Sequence, residues 1–143
     1  MSWDAFTVGQ KQRPIKISNL LNYGVYRFCR DTKRPRSSIF DMALIKLWKI
    51  YNGGGTSNVP LNEESMDIVS NILLDNPMPG KISRSETHYI YASFRGEKTF
   101  NFASEILRNY GADSMNDLIR RVVTWFLNEK GYLHSPKEEE GLP

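Results

Sequence analysis

Hydrophobic and polar positions follow two different periods along the chain, and the period changes at definite residues. Ile15 and Ile17 alternate with Lys16 and Ser18, which is the two-residue period of a β-strand. From residue 21 onward the apolar positions recur every three or four residues, the period of an amphipathic helix. The pattern therefore predicts a strand over residues 14–19 that leads directly into a helix.

A basic break separates this helix from a second one. The segment Lys33-Arg34-Pro35-Arg36 contains a proline that ends the first helix, and Ser37 or Ser38 is a suitable N-cap for the next. A broad apolar stripe then extends to Tyr51, and three glycines follow at 53–55. The first third of the chain is thus predicted to be strand, helix, turn and helix.

The same order of elements is predicted again from about His88. A second alternating segment runs to Arg95, with Ile90 and Phe94 on one side and Tyr91 on the other. A helix follows it, Gly111 suits the end of that helix, and Ser114 caps another. One such unit cannot bury its own apolar side, whereas two units together can.

The segment between the two units carries a helix of its own. Turn-forming residues surround it, and apolar positions at helical spacing indicate a helix over about 62–75 that packs on the rest of the protein. The boundaries follow from these patterns. We expect a flexible basic arm at 1–13, a first unit at 14–52, a linker at 53–87, a second unit at 88–131 and a disordered tail at 132–143, with both units in one globular domain.

Charge is distributed unevenly along the chain. Residues 1–52 contain ten Lys or Arg and three Asp or Glu, whereas the remainder contains nine and thirteen. A basic half suggests a polyanionic partner, usually nucleic acid, although a solvated basic surface without a partner gives the same composition.

Other features narrow the class of protein. Cys29 is the only cysteine, which excludes an intrachain disulfide and fits a reducing compartment. Apolar runs are shorter than the roughly 20 residues of a membrane helix, and the first residues do not form a secretory signal. We therefore expect a cytoplasmic protein without a membrane partner.

The residues resemble a known family. Ser114-x-Asn116-x-x-Ile119 after the strand Tyr91-x-Ser93-x-Arg95, and Arg36-Ser37-Ser38-Ile39 after the first strand, are similar to ribbon-helix-helix DNA-binding units of the Arc and MetJ type. Two units in one chain resemble the tandem members of that family, such as TraY-type accessory proteins of conjugative plasmids. The resemblance implies a mostly α fold with a two-stranded antiparallel ribbon, arranged as an intramolecular pseudo-dimer plus a connecting helix.

The resemblance also implies a mode of DNA binding. A two-stranded ribbon fits the major groove, where each base pair presents a distinct pattern of donors and acceptors. The side chains expected to contact bases are Lys16, Ser18, Tyr91, Ser93 and Arg95. Arg95 is the best single candidate because a guanidinium can pair with two atoms of guanine.

Phosphates are expected at the start of the second helix of each unit, where free backbone N–H groups attract anions. The residues expected to contact phosphates are Lys11, Arg13, Lys33, Arg34, Arg36, Ser37, Ser38, Ser114, Met115 and Asn116. Simpler roles stay open for many of them, since serines before helices are usually caps and polar strand residues often only face water.

The expected function is sequence-specific binding of double-stranded DNA, as a transcription regulator or as a DNA-transfer accessory factor. Other DNA-bound copies or a DNA-processing protein are possible further partners. The unequal units predict an asymmetric DNA site. The alternative is a protein-interaction module, such as an antitoxin or a structural protein of a mobile element. Enzymatic activity is not expected, because the sequence has no catalytic constellation, nucleotide loop or metal-ligand spacing, and no cofactor is implied.

Overall fold

The described part of the chain is mostly helical and contains one two-stranded antiparallel ribbon. The computed structural model describes residues 12–51, 63–94, 96–110 and 114–133. The elements in chain order are β1 (Arg13–Ile17), α1 (Asn19–Thr32), a 3-10 turn (Arg36–Ser38), α2 (Ile39–Tyr51), α3 (Glu63–Leu74), β2 (His88–Ala92), α4 (Glu97–Tyr110) and α5 (Met115–Glu129). The predicted fold class is therefore confirmed.

The ribbon joins the two segments that alternate in sequence. Strands β1 and β2 pair antiparallel, with Ile15 opposite Ile90 and Lys16 opposite Tyr89. The side of the ribbon that faces the helices is buried and apolar; its residues are Ile15, Ile17, Ile90 and Ala92. Both strands are shorter than predicted at their C-terminal ends, because β1 stops at Ile17 and β2 stops at Ala92.

The helices pack beneath the ribbon through their apolar stripes. Phe40 of α2 meets Phe94, which follows β2, edge to face with ring centroids 5.6 Å apart. On the other side of the core, Phe28 of α1 and Phe126 of α5 form a similar pair at 5.3 Å. Each fully buried side chain of this size stabilises the fold by roughly 1.5–3 kcal/mol. Within the described residues no helix is long and apolar enough to cross a membrane.

Helix α3 lies in the connecting region and belongs to the core. Met66, Val69 and Leu73 are buried against the other helices. Arg121 of α5 donates hydrogen bonds to the carbonyls of Leu73 at 2.9 Å and Leu74 at 3.4 Å, which lie in the last turn of α3, where carbonyls lack their i+4 helical donor. The helix predicted over about 62–75 is thus present over 63–74 and is fixed by α5.

Two predicted boundaries need correction. Arg13 opens strand β1 instead of ending the arm, and Gln12 donates a hydrogen bond from Nε2 to the carbonyl of Ser37 at 2.8 Å. At the other end, Tyr132 and Leu133 pack against the core although the tail was expected to begin at 132. An aromatic contact with Phe28, at 5.5 Å between ring centroids, holds Tyr132 in place. Residues 1–11 and 134–143 lie outside the described part.

Candidate nucleic-acid interface

The outer side of the ribbon carries a compact group of polar and aromatic side chains. Lys16 is exposed between the buried residues Ile15 and Ile17, as the alternation predicts. Tyr89 and Tyr91 are half-buried on the same side of β2, with Tyr89 opposite Lys16 and Tyr91 opposite Pro14 across the ribbon. We call Lys16, Tyr89 and Tyr91 the outer ribbon group.

Tyr89 was missed by the sequence analysis, although it lies directly opposite Lys16. The sequence pattern does indicate its orientation, because residues two positions apart in a strand lie on the same side and Tyr89 is two positions before Tyr91. Ser93 follows the end of β2 and is half-buried. Arg95, the preferred candidate for guanine, lies outside the described residues.

Ser18 was predicted to contact bases, and its position contradicts an outward orientation. It is only 1% exposed. Its Oγ accepts a hydrogen bond from the backbone N–H of Leu21 at 3.1 Å, which makes Ser18 the N-cap of α1, and also donates to the carbonyl of Pro79. Because β1 ends at Ile17, the strand alternation no longer applies at the next residue. The helix start determines the orientation of Ser18 instead.

Two arginines hold the edges of the ribbon. Arg36 donates from a guanidinium nitrogen to the carbonyl of Tyr89, and Arg120 of α5 donates from Nε to the carbonyl of Lys16 at 2.8 Å. A two-stranded ribbon has two open edges, and these bonds satisfy one acceptor on each. Burial lowers the pKa of each guanidinium, which nevertheless stays charged.

The start of α2 includes a turn that the sequence pattern did not predict. The residues Arg36–Ser38 form a 3-10 turn before the helix, with Pro35 in the cap position. Ser38 donates from Oγ back to the carbonyl of Pro35 at 2.8 Å, and the carbonyl of Ser37 accepts from Gln12. A 3-10 turn therefore precedes α2, and capping of α2 by the side chain of Ser37 or Ser38 stays a prediction.

The start of α5 agrees with the expected cap. Ser114 is exposed, and its Oγ accepts a hydrogen bond from the backbone N–H of Asp117 at 3.2 Å. Asn116 is half-buried, whereas the side chain of Met115 is buried at 4% exposure. Any contact of Met115 with a phosphate would therefore use its backbone N–H alone.

The other predicted phosphate contacts have different surroundings. Lys33 and Arg34 are exposed between α1 and the 3-10 turn, and Lys33 has a left-handed backbone with φ of 56° at the end of α1. Arg13 is half-buried in β1 opposite Ala92. Lys11 lies outside the described residues.

Two observations concern the reactive side chains in the described part of the chain. Burial raises the pKa of the Cys29 thiol, with Arg36 opposing the effect, so Cys29 is less ionised than a free thiol. No cluster of three or more His, Cys, Asp or Glu with metal-binding geometry occurs among the described residues. Comparisons with protein-family models, with curated proteins and with solved structures gave no match to this chain.

Proposed function

We propose that this chain is a sequence-specific double-stranded DNA-binding protein of the ribbon-helix-helix type, with both units supplied by one polypeptide. The observation that carries the proposal is the pairing of β1 with β2 in a single molecule, with an apolar side on the helices and the outer ribbon group on the other. A two-stranded ribbon has the dimensions that enter a major groove.

The order of elements supports the proposal. A strand followed by two helices occurs twice, as β1-α1-α2 and as β2-α4-α5. Each unit also holds the strand of the other, because Arg36 of the first unit bonds Tyr89 and Arg120 of the second bonds Lys16. This exchange makes the two units one body and fixes the ribbon relative to the helices.

The outer ribbon group has the chemistry for direct contact with bases. The Lys16 ammonium suits O6 and N7 of guanine. The rings of Tyr89 and Tyr91 suit the thymine methyl group, and their hydroxyls can donate to a phosphate. Ser114 at the start of α5, with Lys33 and Arg34 near α2, would position the phosphate backbone. The proposed role is that of a transcription regulator or of an accessory factor in DNA transfer.

Selection from random duplexes tests the proposal. We expect enrichment of one asymmetric sequence, because the outer sides of the two strands differ in residue type. Affinity for it should fall steeply with salt as counterions are released. Lys16→Ala should weaken binding by about 5- to 150-fold, the range of one good base contact. Lys49→Ala, at an exposed position near the end of α2, is the matched control.

Two results would refute the proposal. One is a pool in which no sequence is enriched while the protein is folded. The other is equal loss of affinity in the Lys16 and Lys49 variants, which would indicate contact through charge alone. Recovery of a specific protein partner together with either result would favour the protein-interaction alternative.

A further inference from the structure

We infer that the outer side of α1 is a second binding surface, which takes single-stranded nucleic acid and is separate from the ribbon. The surface is formed by Tyr23, Tyr26, Arg27 and Arg30, here called the tyrosine–arginine stripe, together with Tyr132 from the segment after α5. The inference does not depend on the proposed function of the ribbon.

The stripe follows from helical spacing. Its residues are separated by three, one and three positions, so they lie on one side of α1 over two turns. The opposite side supplies the buried residues of the helix, which are Leu21, Gly24, Val25 and Phe28. Tyr26 is 57% exposed, so core packing does not account for an aromatic residue at this position.

Each arginine of the stripe lies over the ring of the tyrosine four positions before it. The guanidinium carbon of Arg27 lies 5.5 Å from the ring centroid of Tyr23 and 5.6 Å from that of Tyr132. The guanidinium carbon of Arg30 lies 5.9 Å from the ring of Tyr26. The three rings and two guanidiniums therefore form two cation–π groups, Tyr23–Arg27–Tyr132 and Tyr26–Arg30, on the same side of α1.

Further contacts fix this surface and set its charge. The hydroxyl of Tyr132 donates to Oδ2 of Asp31 at 3.0 Å, which ties the end of the described chain to α1. Asp31 is the only acid between residues 19 and 34, and that stretch contains four basic residues. Lys33 and Arg34 are both exposed beyond the end of the stripe, so the positive charge extends along it.

This combination favours a single strand over a duplex. In a duplex the bases are stacked on one another and present only phosphates to a flat protein surface. A single strand offers unstacked bases, which stack on tyrosine rings and guanidinium planes while basic side chains contact the phosphates. An acidic protein would pair with the arginines, but its binding would not require exposed aromatic rings.

The test uses the full chain and fluorescence anisotropy with two labelled probes of equal length. One is an oligo-dT strand, and the other is an abasic strand with the same phosphates and no bases. We expect the wild-type protein to bind oligo-dT more tightly than the abasic strand. Tyr26→Ala should weaken oligo-dT binding by roughly 5- to 150-fold, the range of one base stack, and leave abasic binding unchanged. Tyr26→Phe should keep the wild-type affinity.

Charge is tested with a matched pair of variants. Arg30→Ala should weaken binding to both strands, whereas Arg108→Ala, on α4 with a side chain 75% exposed, should change neither. The Lys16→Ala variant should keep its oligo-dT affinity. If Tyr26→Ala does not fold by circular dichroism, Tyr26→Leu replaces it, since leucine keeps the bulk without the ring.

Three results would overturn the inference. The abasic strand binds as tightly as oligo-dT; Tyr26→Ala retains the preference for bases; or polyglutamate of equal charge displaces oligo-dT. The last result would identify a surface for acidic proteins. Lys16→Ala is tested on the selected duplex, and Tyr26→Ala is tested on the single strand. A negative result with the single strand therefore does not affect the ribbon proposal, and a negative result with the duplex does not affect this inference.

Discussion

Lys16 and Tyr89 face each other across the ribbon, and the backbone carbonyl of each accepts a hydrogen bond from an arginine on a different helical segment. In an antiparallel ladder, residue pairs alternate between those that bond each other and those whose polar groups point outward. The arginine bonds indicate that Lys16 and Tyr89 form an outward pair. By the same alternation Pro14 is also at an outward position, where its missing N–H costs no ladder bond.

Removing either arginine should weaken the fold. We expect Arg36→Ala to lower the free energy of unfolding by about 1–3 kcal/mol, because the half-buried carbonyl of Tyr89 loses a charged donor. Arg120→Ala should cost about 0.5–1.5 kcal/mol, because its bond to the carbonyl of Lys16 is exposed. Urea denaturation measures the change. Arg108→Ala, which removes an exposed pair with Glu105, should cost less than about 0.5 kcal/mol. Equal effects at all three positions would contradict the assigned role of the ribbon edges.

Substitution of Ser18 should change the stability of the fold without changing its affinity for DNA. Ser18→Ala should lower the free energy of unfolding by about 0.5–2 kcal/mol, because the N-cap of α1 is lost. Under conditions where the variant is fully folded, its affinity for the selected duplex should equal that of wild type. Selective loss of affinity without loss of stability would show that the burial of Ser18 does not prevent contact with DNA.

The contribution of Tyr89 to DNA affinity should depend on a thymine methyl group. On the proposed DNA contact, replacing thymine by deoxyuridine at one position within the selected duplex should weaken binding about fourfold, since one buried methyl contributes about 0.8 kcal/mol. Tyr89→Ala should abolish that difference, and Tyr89→Phe should preserve it. Deoxyuridine placed outside the protected sequence serves as the control. A difference that persists in Tyr89→Ala would assign the methyl contact to another residue.

Tyr51 should make stability depend on alkaline pH. Its hydroxyl is buried and has no hydrogen-bond partner among the described residues, and burial raises the pKa of Tyr51 to about 12. A free tyrosine ionises near pH 10. Since the pKa is raised on folding, the stabilising contribution is complete below about pH 10 and is lost as the pH rises from about 10 through 12.

Tyr51→Phe tests this dependence. The phenylalanine keeps the ring contact with Phe102, whose centroid lies 5.2 Å away, and removes the buried hydroxyl. The variant should be at least as stable as wild type at pH 8 and should lose less stability between pH 9.5 and 11 in urea denaturation. A steeper loss in the variant would contradict the burial of the hydroxyl.

Sequence patterns predicted most of the fold because local period and burial agree here. Ile15, Ile17 and Ile90 specified the inner side of the ribbon, and the helical stripes specified the core. The errors occur where one element ends and another begins, as at Ser18. The two-residue alternation of a strand no longer predicts the orientation of a side chain once the strand has ended. The roles of Arg36 and Arg120 were beyond prediction from sequence, since their acceptors are carbonyls whose direction depends on the pairing of distant strands.

The ribbon joins residues that are 75 positions apart, as the pairing of Ile15 with Ile90 shows. Closing so long a loop costs conformational entropy before the strand contacts compensate for it, so we expect the two strands to meet late in folding. During synthesis, β1 cannot pair until β2 has been made and most of the chain has left the ribosome. Lys16 and Tyr89 therefore come together only in a nearly completed molecule, and an incomplete chain would lack their shared surface.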